Sequence, residues 1–159
     1  MNKKIYTGIL FLFAVLTGIR AQIGEHFRFA LLTDIHVTQK GTAFDDLQNS
    51  IHQVNRTQDI DFVLVTGDIT EEGASMQRVK AALGQLKVKY YIIPGNHETK
   101  WSESGVTDFG HIFGGERFKF EHKGFLFLGF NSGPLMRMAD GHVVPQDITW
   151  LKKELKEAG

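Results

Sequence analysis

The stretch Val88-Lys89-Tyr90-Tyr91-Ile92-Ile93-Pro94-Gly95-Asn96-His97-Glu98 decides how the rest of the chain is read. Six residues, five of them apolar or aromatic, predict a buried strand, and Pro94-Gly95 is a turn signal that ends it. The polar residues that follow therefore emerge where a strand stops. Asn96 and His97 carry side chains that contact metals or phosphate, and Glu98 is placed to orient its neighbour. Two earlier stretches repeat the pattern. Arg28 to Thr33 runs into Asp34-Ile35-His36, and Phe62 to Val65 runs into Thr66-Gly67-Asp68. Asp34, Asp68 and Asn96 stand roughly thirty residues apart, the length of one strand-helix-strand unit. Parallel strands joined by right-handed crossovers place their C-terminal ends on one edge, where open α/β sheets bind ligands. The three clusters are therefore expected to converge in one crevice.

The segments between the strands fit crossover helices. Phe44, Leu47, Ile51 and Val54 fall at helical spacing, with Asp45 and Asp46 favourably placed in the first turn. Met76, Val79, Leu83 and Leu86 mark a second helix, with Ser75 as its expected cap. From Trp101 to Gly115 there is no clean period, which predicts a loop with one helical turn near Phe109 to Phe113. Phe118, Phe120, Phe125, Phe127 and Phe130 flank Lys123-Gly124, the pattern of a hairpin with one aromatic face. Asn131 to Pro145 reads as a long irregular segment. Ile148, Leu151 and Leu155 predict a final helix beginning near Gln146 or Asp147.

Taken singly, an Asp-x-His pair is usually loop polarity, Asp68 a turn cap and Asn96 an ordinary turn residue. Together, in this order and at these strand ends, Asp34-x-His36, Gly67-Asp68 and Gly95-Asn96-His97-Glu98 resemble the calcineurin-like metallophosphoesterase superfamily. The resemblance covers Phe27 to about Leu155. It implies an α/β fold: a metallophosphoesterase-type β-sandwich flanked by helices, of which this chain holds the N-terminal portion. It also implies two divalent metal ions (Mn, Fe or Zn). The positions of Asp34 and His36 bind the first metal, that of Asp68 bridges both, and that of Asn96 binds the second. His97 is then a catalytic residue near the phosphoryl group, and Glu98 fixes its ring. The implied reaction is hydrolysis of phosphate mono- or diesters by a two-metal-activated hydroxide. Gly67 and Gly95 would let the backbone approach the metals. Mixed carboxylate, imidazole and amide donors suit manganese, iron or zinc better than calcium.

Other residues read more plainly. Glu71 and Glu72 look like a solvated loop edge, and His26, His52, His111 and His122 like surface or packing histidines. The phenylalanine cluster reads as core. The superfamily supplies three further histidines downstream, two of them in a Gly-His-x-His motif. Here Gly141-His142 continues as Val143-Val144 and precedes the last helix, so it reads as a loop and not as that motif, and no further histidine follows. The resemblance therefore implies a C-terminally incomplete domain, its sheet left with open edges and an exposed face. The alternative is a non-catalytic fragment or metal-binding domain lacking those ligands.

Composition narrows the setting. Apolar content of 42% and charged content of 23% are those of a globular chain. Formal net charge is zero and no basic stripe marks nucleic acid as a partner. Lys3 and Lys4 precede a mostly apolar run, Ile5 to Ile19, and Ala21 offers a small residue for cleavage. Residues 1–21 thus read as a signal peptide and 22–159 as the phosphoesterase domain, exported to a periplasmic or extracellular setting with no membrane association after cleavage. Without cysteine the exported chain forms no disulfides and rests on its core or on metal.

Overall fold

A computed structural model describes residues 26–71, 73–99, 106–133 and 141–159. The expected signal peptide, Glu72, the first part of the expected 101–115 loop and part of the expected 131–145 segment lie outside the described residues. Three short strands, β1 (Phe29–Leu32), β2 (Phe62–Val65) and β3 (Lys89–Ile92), form a parallel sheet in the order β1-β2-β3. Their register places Ala30, Val63 and Tyr90 in one row and Leu32, Val65 and Ile92 in another. Both rows face the crossover helices α1 (Ala43–Arg56) and α2 (Met76–Leu83), because side chains alternate across a strand. Leu47 and Ile51 of α1 and Met76, Val79 and Leu83 of α2 close this core, joined by Phe109.

The helices keep the expected periods with two adjustments. Ser75 occupies the N-cap of α2 but makes no side-chain capping bond, because a 3₁₀ turn, Gly73–Ser75, leads into the helix and buries it. The turn expected near Phe109 to Phe113 is a two-turn helix, α4 (Val106–Phe113). Before it, Asn96–Thr99 forms a single turn, α3, at the end of β3.

The opposite face of the sheet carries Phe29, Phe62, Leu31, Leu64 and Tyr91. It is covered by an antiparallel hairpin, β4 (Arg117–His122) and β5 (Phe125–Phe130). Lys123 (φ 47°) and Gly124 (φ 78°) form its two-residue turn, the positive-φ pair that matches strand twist. The hairpin's inner face is aromatic, with Phe127 5.1 Å from Phe62 between ring centres and Phe120 stacked on Phe127 at 4.7 Å, but Phe130 pairs with Arg117 in the outer row and Phe125 is 54% exposed, so the expected phenylalanine core is met only in part. Gly129 lies opposite Phe118, whose ring fills the space a β-carbon would need. The expected exposed face is thus only partly so. Phe62 is buried, while Leu31 at the unpaired side of β1 stays 55% exposed.

The last helix, α5 (Pro145–Ala158), corrects the expected burial pattern. Proline stands at its first turn after Val144, as its fixed φ and missing N–H allow. Ile148 and Leu155 are exposed, and the buried residues are Asp147 and Glu154. The reason is the outer row of β4: Arg117 pairs with Asp147 and Lys119 with Glu154. Carboxylates at spacing i, i+7 meet cations two apart on the strand, and a buried charge needs such a partner. Among the described residues no helix is long and apolar enough to cross a membrane.

Candidate metal centre

Backbone pairing between β1 and β2 continues past the strand ends and builds the site. Thr66 N–H donates to Leu32 O (3.0 Å), Asp34 N–H to Gly67 O (3.2 Å) and His36 N–H to Asp68 O (2.9 Å). A bridge between Val37 and Thr70 extends the pairing. The Asp34-Ile35-His36 loop is thereby laid along the Gly67–Thr70 loop. The third loop arrives from β3, whose Ile93 N–H donates to Val65 O at 3.0 Å.

Gly67 and Gly95 permit this convergence, for a reason other than the one expected. A β-carbon on Gly67 would strike the backbone of Pro94 and Gly95, and one on Gly95 would strike Asp68. The glycines let the second and third loops approach each other, and the space at Gly95 is taken by the Asp68 carboxylate. Asp68 Oδ1 then accepts the N–H of His97 at 3.0 Å.

His36, Asp68 and His97 come together, with ligand-type atoms that lie within 4.8 Å of one another. The two imidazole rings meet edge to face at 4.7 Å between centres. Asp34 stands at the rim, its side chain 64% exposed and its Oδ1 3.9 Å from His36 Nε2. Asn96 opens α3, partly buried, next to His97. All four expected ligand residues thus sit on three adjoining loops, but among the described residues the donor cluster brings only His36 and Asp68 of them together with His97. Three of these residues have left-handed backbones: Asp34 (φ 54°), His36 (φ 52°) and Asp68 (φ 49°). That conformation is uncommon outside glycine, and Asp and His are among the residues that tolerate it.

Two carboxylates have roles the sequence reading did not assign. Glu98 was expected to orient His97. It is fully buried instead, and its carboxylate fastens the loops. Oε2 accepts N–H groups from Asp68 (2.9 Å) and Gly95 (2.8 Å), and Oε1 accepts those of Ile69 and Thr70 (2.9 Å each). Burial pushes its carboxyl above the ordinary range and the neighbouring Asp68 charge adds to that, against the N–H donors. The carboxylate beside His97 belongs to Glu71, read from sequence as a solvated edge. Its Oε2 is 2.9 Å from His97 Nδ1 and its Oε1 2.6 Å from His36 Nδ1. The signal that could have found it was register: pairing of Val37 with Thr70 puts residue 71 beside the Asp-x-His loop.

The donor set fits a divalent cation. It mixes imidazole and carboxylate at bonding separations, and His36 Nδ1 is buried without a well-aligned hydrogen bond. The histidines outside the three motifs follow expectation. His26, His52 and His111 are exposed, while His122 packs edge-on against Phe27 and pairs with Asp61.

Comparison with known proteins agrees with this geometry. A relative in Bacillus subtilis (strain 168), the uncharacterized protein YvnB, is 25% identical over 131 residues, covering 72% of this chain. The chain spans only 10% of that relative's length. The family model for calcineurin-like phosphoesterases matches residues 27–155, a stretch that holds all three strand-end motifs and the hairpin. The chain belongs to the calcineurin-like phosphoesterase family.

Proposed function

We propose that the protein is an exported metal-dependent phosphoesterase that hydrolyses phosphate mono- or diesters. The observation that carries this reading is the convergence of His36, Asp68 and His97 at the ends of adjacent parallel strands. Asp34 and His36 would hold one divalent cation, Asn96 another, and Asp68 would lie between them. Bound there, manganese, iron or zinc would neutralise phosphoryl oxygens and make water a nucleophile near neutral pH. The chain's own residues supply the rest. Glu71 faces His97 Nδ1, which leaves Nε2 to carry a proton to the departing ester oxygen. Asp68 fixes the His97 backbone, and Glu98 fixes that of Asp68. The apolar leader supports export.

The test is hydrolysis of aryl phosphate mono- and diesters by the full chain with each metal, beside Asp68→Asn. We expect metal-dependent turnover that falls at least a hundredfold in the variant, since a neutral amide cannot serve two cations. Equal rates for both proteins would refute the assignment. One observation favours a second reading: among the described residues the donor cluster holds three side chains, His36, Asp68 and His97, enough for a single cation. Metal binding by calorimetry with no turnover would select a non-catalytic metal-binding domain.

A further inference from the structure

His36 has two ring nitrogens to offer a cation, and its surroundings choose between them. Nδ1 lies 2.6 Å from Glu71 Oε1, and Nε2 stands 3.9 Å from Asp34 Oδ1. The other oxygen of Glu71 lies 2.9 Å from His97 Nδ1, so one carboxylate serves both rings, which meet edge to face. The backbone holds it there. Glu71 N–H donates to Val37 O at 3.1 Å and Val37 N–H to Ile69 O at 2.9 Å, on either side of the bridge between Val37 and Thr70. The main chain thus laces Glu71 to the loop that carries His36, whatever the side chain at 71 is.

Two arrangements put a carboxylate oxygen beside a buried imidazole nitrogen: a cation shared by both, or a proton on the nitrogen. The distance decides. Two donors each about 2.1 Å from one cation, at right angles, stand about 3.0 Å apart. A charge-assisted N–H···O contact is shorter, about 2.7–2.9 Å. The 2.6 Å between His36 Nδ1 and Glu71 belongs with the second. An ionised carboxylate only accepts, so a bare Nδ1 there would set lone pair against lone pair. The proton therefore sits on Nδ1, and the free electron pair is on Nε2, the nitrogen nearer Asp34. Nδ1–H is not yet aligned on the oxygen, but the two side chains are 34% and 38% exposed, which leaves room for the turn that aligns them. We infer that Glu71 is a positioning residue for the first cation: it fixes His36 as the Nδ1–H tautomer and so makes Nε2 the ligand atom. An imidazole that donates its other N–H to a carboxylate is held in orientation and made a stronger ligand. The inference rests on the metal centre of the proposed phosphoesterase.

The experiment titrates manganese into the metal-free full chain by calorimetry and compares Glu71→Gln with Glu71→Met. Both side chains are neutral and of similar length, so the lost charge is the same. Glutamine keeps one acceptor oxygen, which cation binding at Nε2 turns toward His36, and methionine keeps none. We expect manganese to bind about tenfold more weakly to Glu71→Met than to Glu71→Gln, and the same ratio when His97→Ala is added to both. A second measurement needs no variant at 71. Nitrogen NMR of the metal-free wild type at about pH 8, where an ordinary imidazole is neutral, should find the His36 proton on Nδ1. Equal weakening in the two variants would reduce Glu71 to a nearby charge and overturn the proposal. A ratio that vanishes with His97→Ala, or a His36 proton on Nε2, would overturn it as well. A wild type that binds no manganese would remove the metal centre, and the proposal with it. Calorimetry reads binding and not turnover, so failure of the chain to hydrolyse any ester would sink the phosphoesterase reading without changing these expected results.

Discussion

Glu98→Gln tests the construction of the site most directly. Each carboxylate oxygen accepts two backbone N–H groups, one pair from Asp68 and Gly95 and the other from Ile69 and Thr70. A glutamine presents one oxygen and one NH₂. Whichever way the amide turns, two N–H donors lose their acceptor and face a third donor in a fully buried place. Hydrogen bonds to a charged group are worth about 1.5–3 kcal/mol each, so the gross loss is about 3–6 kcal/mol. Part of it returns, because the substitution removes a carboxylate whose burial already disfavours the charged form. We expect a net loss of about 2–4 kcal/mol, a large share of the roughly 5–15 kcal/mol of a typical domain.

Urea unfolding of the metal-free chain near neutral pH reads this loss. With a slope of about 2 kcal/mol per molar, the midpoint should fall by about 1–2 M. Amide exchange localises it. The N–H groups of Asp68, Ile69, Thr70 and Gly95 should speed up together, because one side chain holds both loops. A loss below about 1 kcal/mol would refute the reasoning, because no mixture of the two amide orientations spares the donors. Faster exchange in one loop with the other unchanged would also refute it, since the carboxylate would then serve only half of its apparent contacts.

Two further outcomes follow from other contacts. Glu71→Gln keeps the shape beside His36 and His97 but removes the charge facing both Nδ1 atoms, and turnover should fall about 10–100-fold. A rate within twofold of wild type would return Glu71 to the loop edge. Asp61 is held below its ordinary value of 3.8, first by the N–H of Arg28 and then by Lys123. A depressed carboxyl contributes stability above its unfolded value that is lost as pH falls through the folded one. Asp61→Asn should therefore lower the urea midpoint at about pH 6 and match wild type at about pH 2, and a gap that does not change with pH would count against this.

The sequence carried the three strands and their parallel sense because apolar runs in a parallel sheet are hard to mistake. Phe62 to Val65, near-continuous and β-branched, became β2 with the bounds read from sequence. The hairpin around Lys123-Gly124 was legible from the phenylalanines alternating on either side of it, while the positive φ of Lys123 was not. Direction was harder to read. Glu98 follows His97 in sequence, which suggested contact, yet consecutive residues on a helical turn do not face each other. One turns toward the sheet ends and the other outward. In α5 the apolar residues and the carboxylates share the helical period, so spacing found the helix but could not say which stripe meets the hairpin. Arg117 and Lys119 decide that, and their facing depends on strand register.

The least legible feature is also the one that explains the motifs best. Asp34, His36 and Asp68 all sit in left-handed backbone, a conformation that costs of order 1 kcal/mol or more for each non-glycine residue. The neighbouring bonds hold it in place. Gly67 and Asp68 carbonyls accept the N–H groups of Asp34 and His36, and Glu98 accepts that of Asp68. Each of these bonds spans two loops, so the conformation at one ligand depends on the position of the next. Apolar β-branched residues would be worse at these three positions for backbone reasons alone. The strand ends are therefore built to accept Asp and His before any cation is considered. A change at a residue that never touches metal, such as Gly95 or Glu98, should disturb the whole ligand set rather than one member of it.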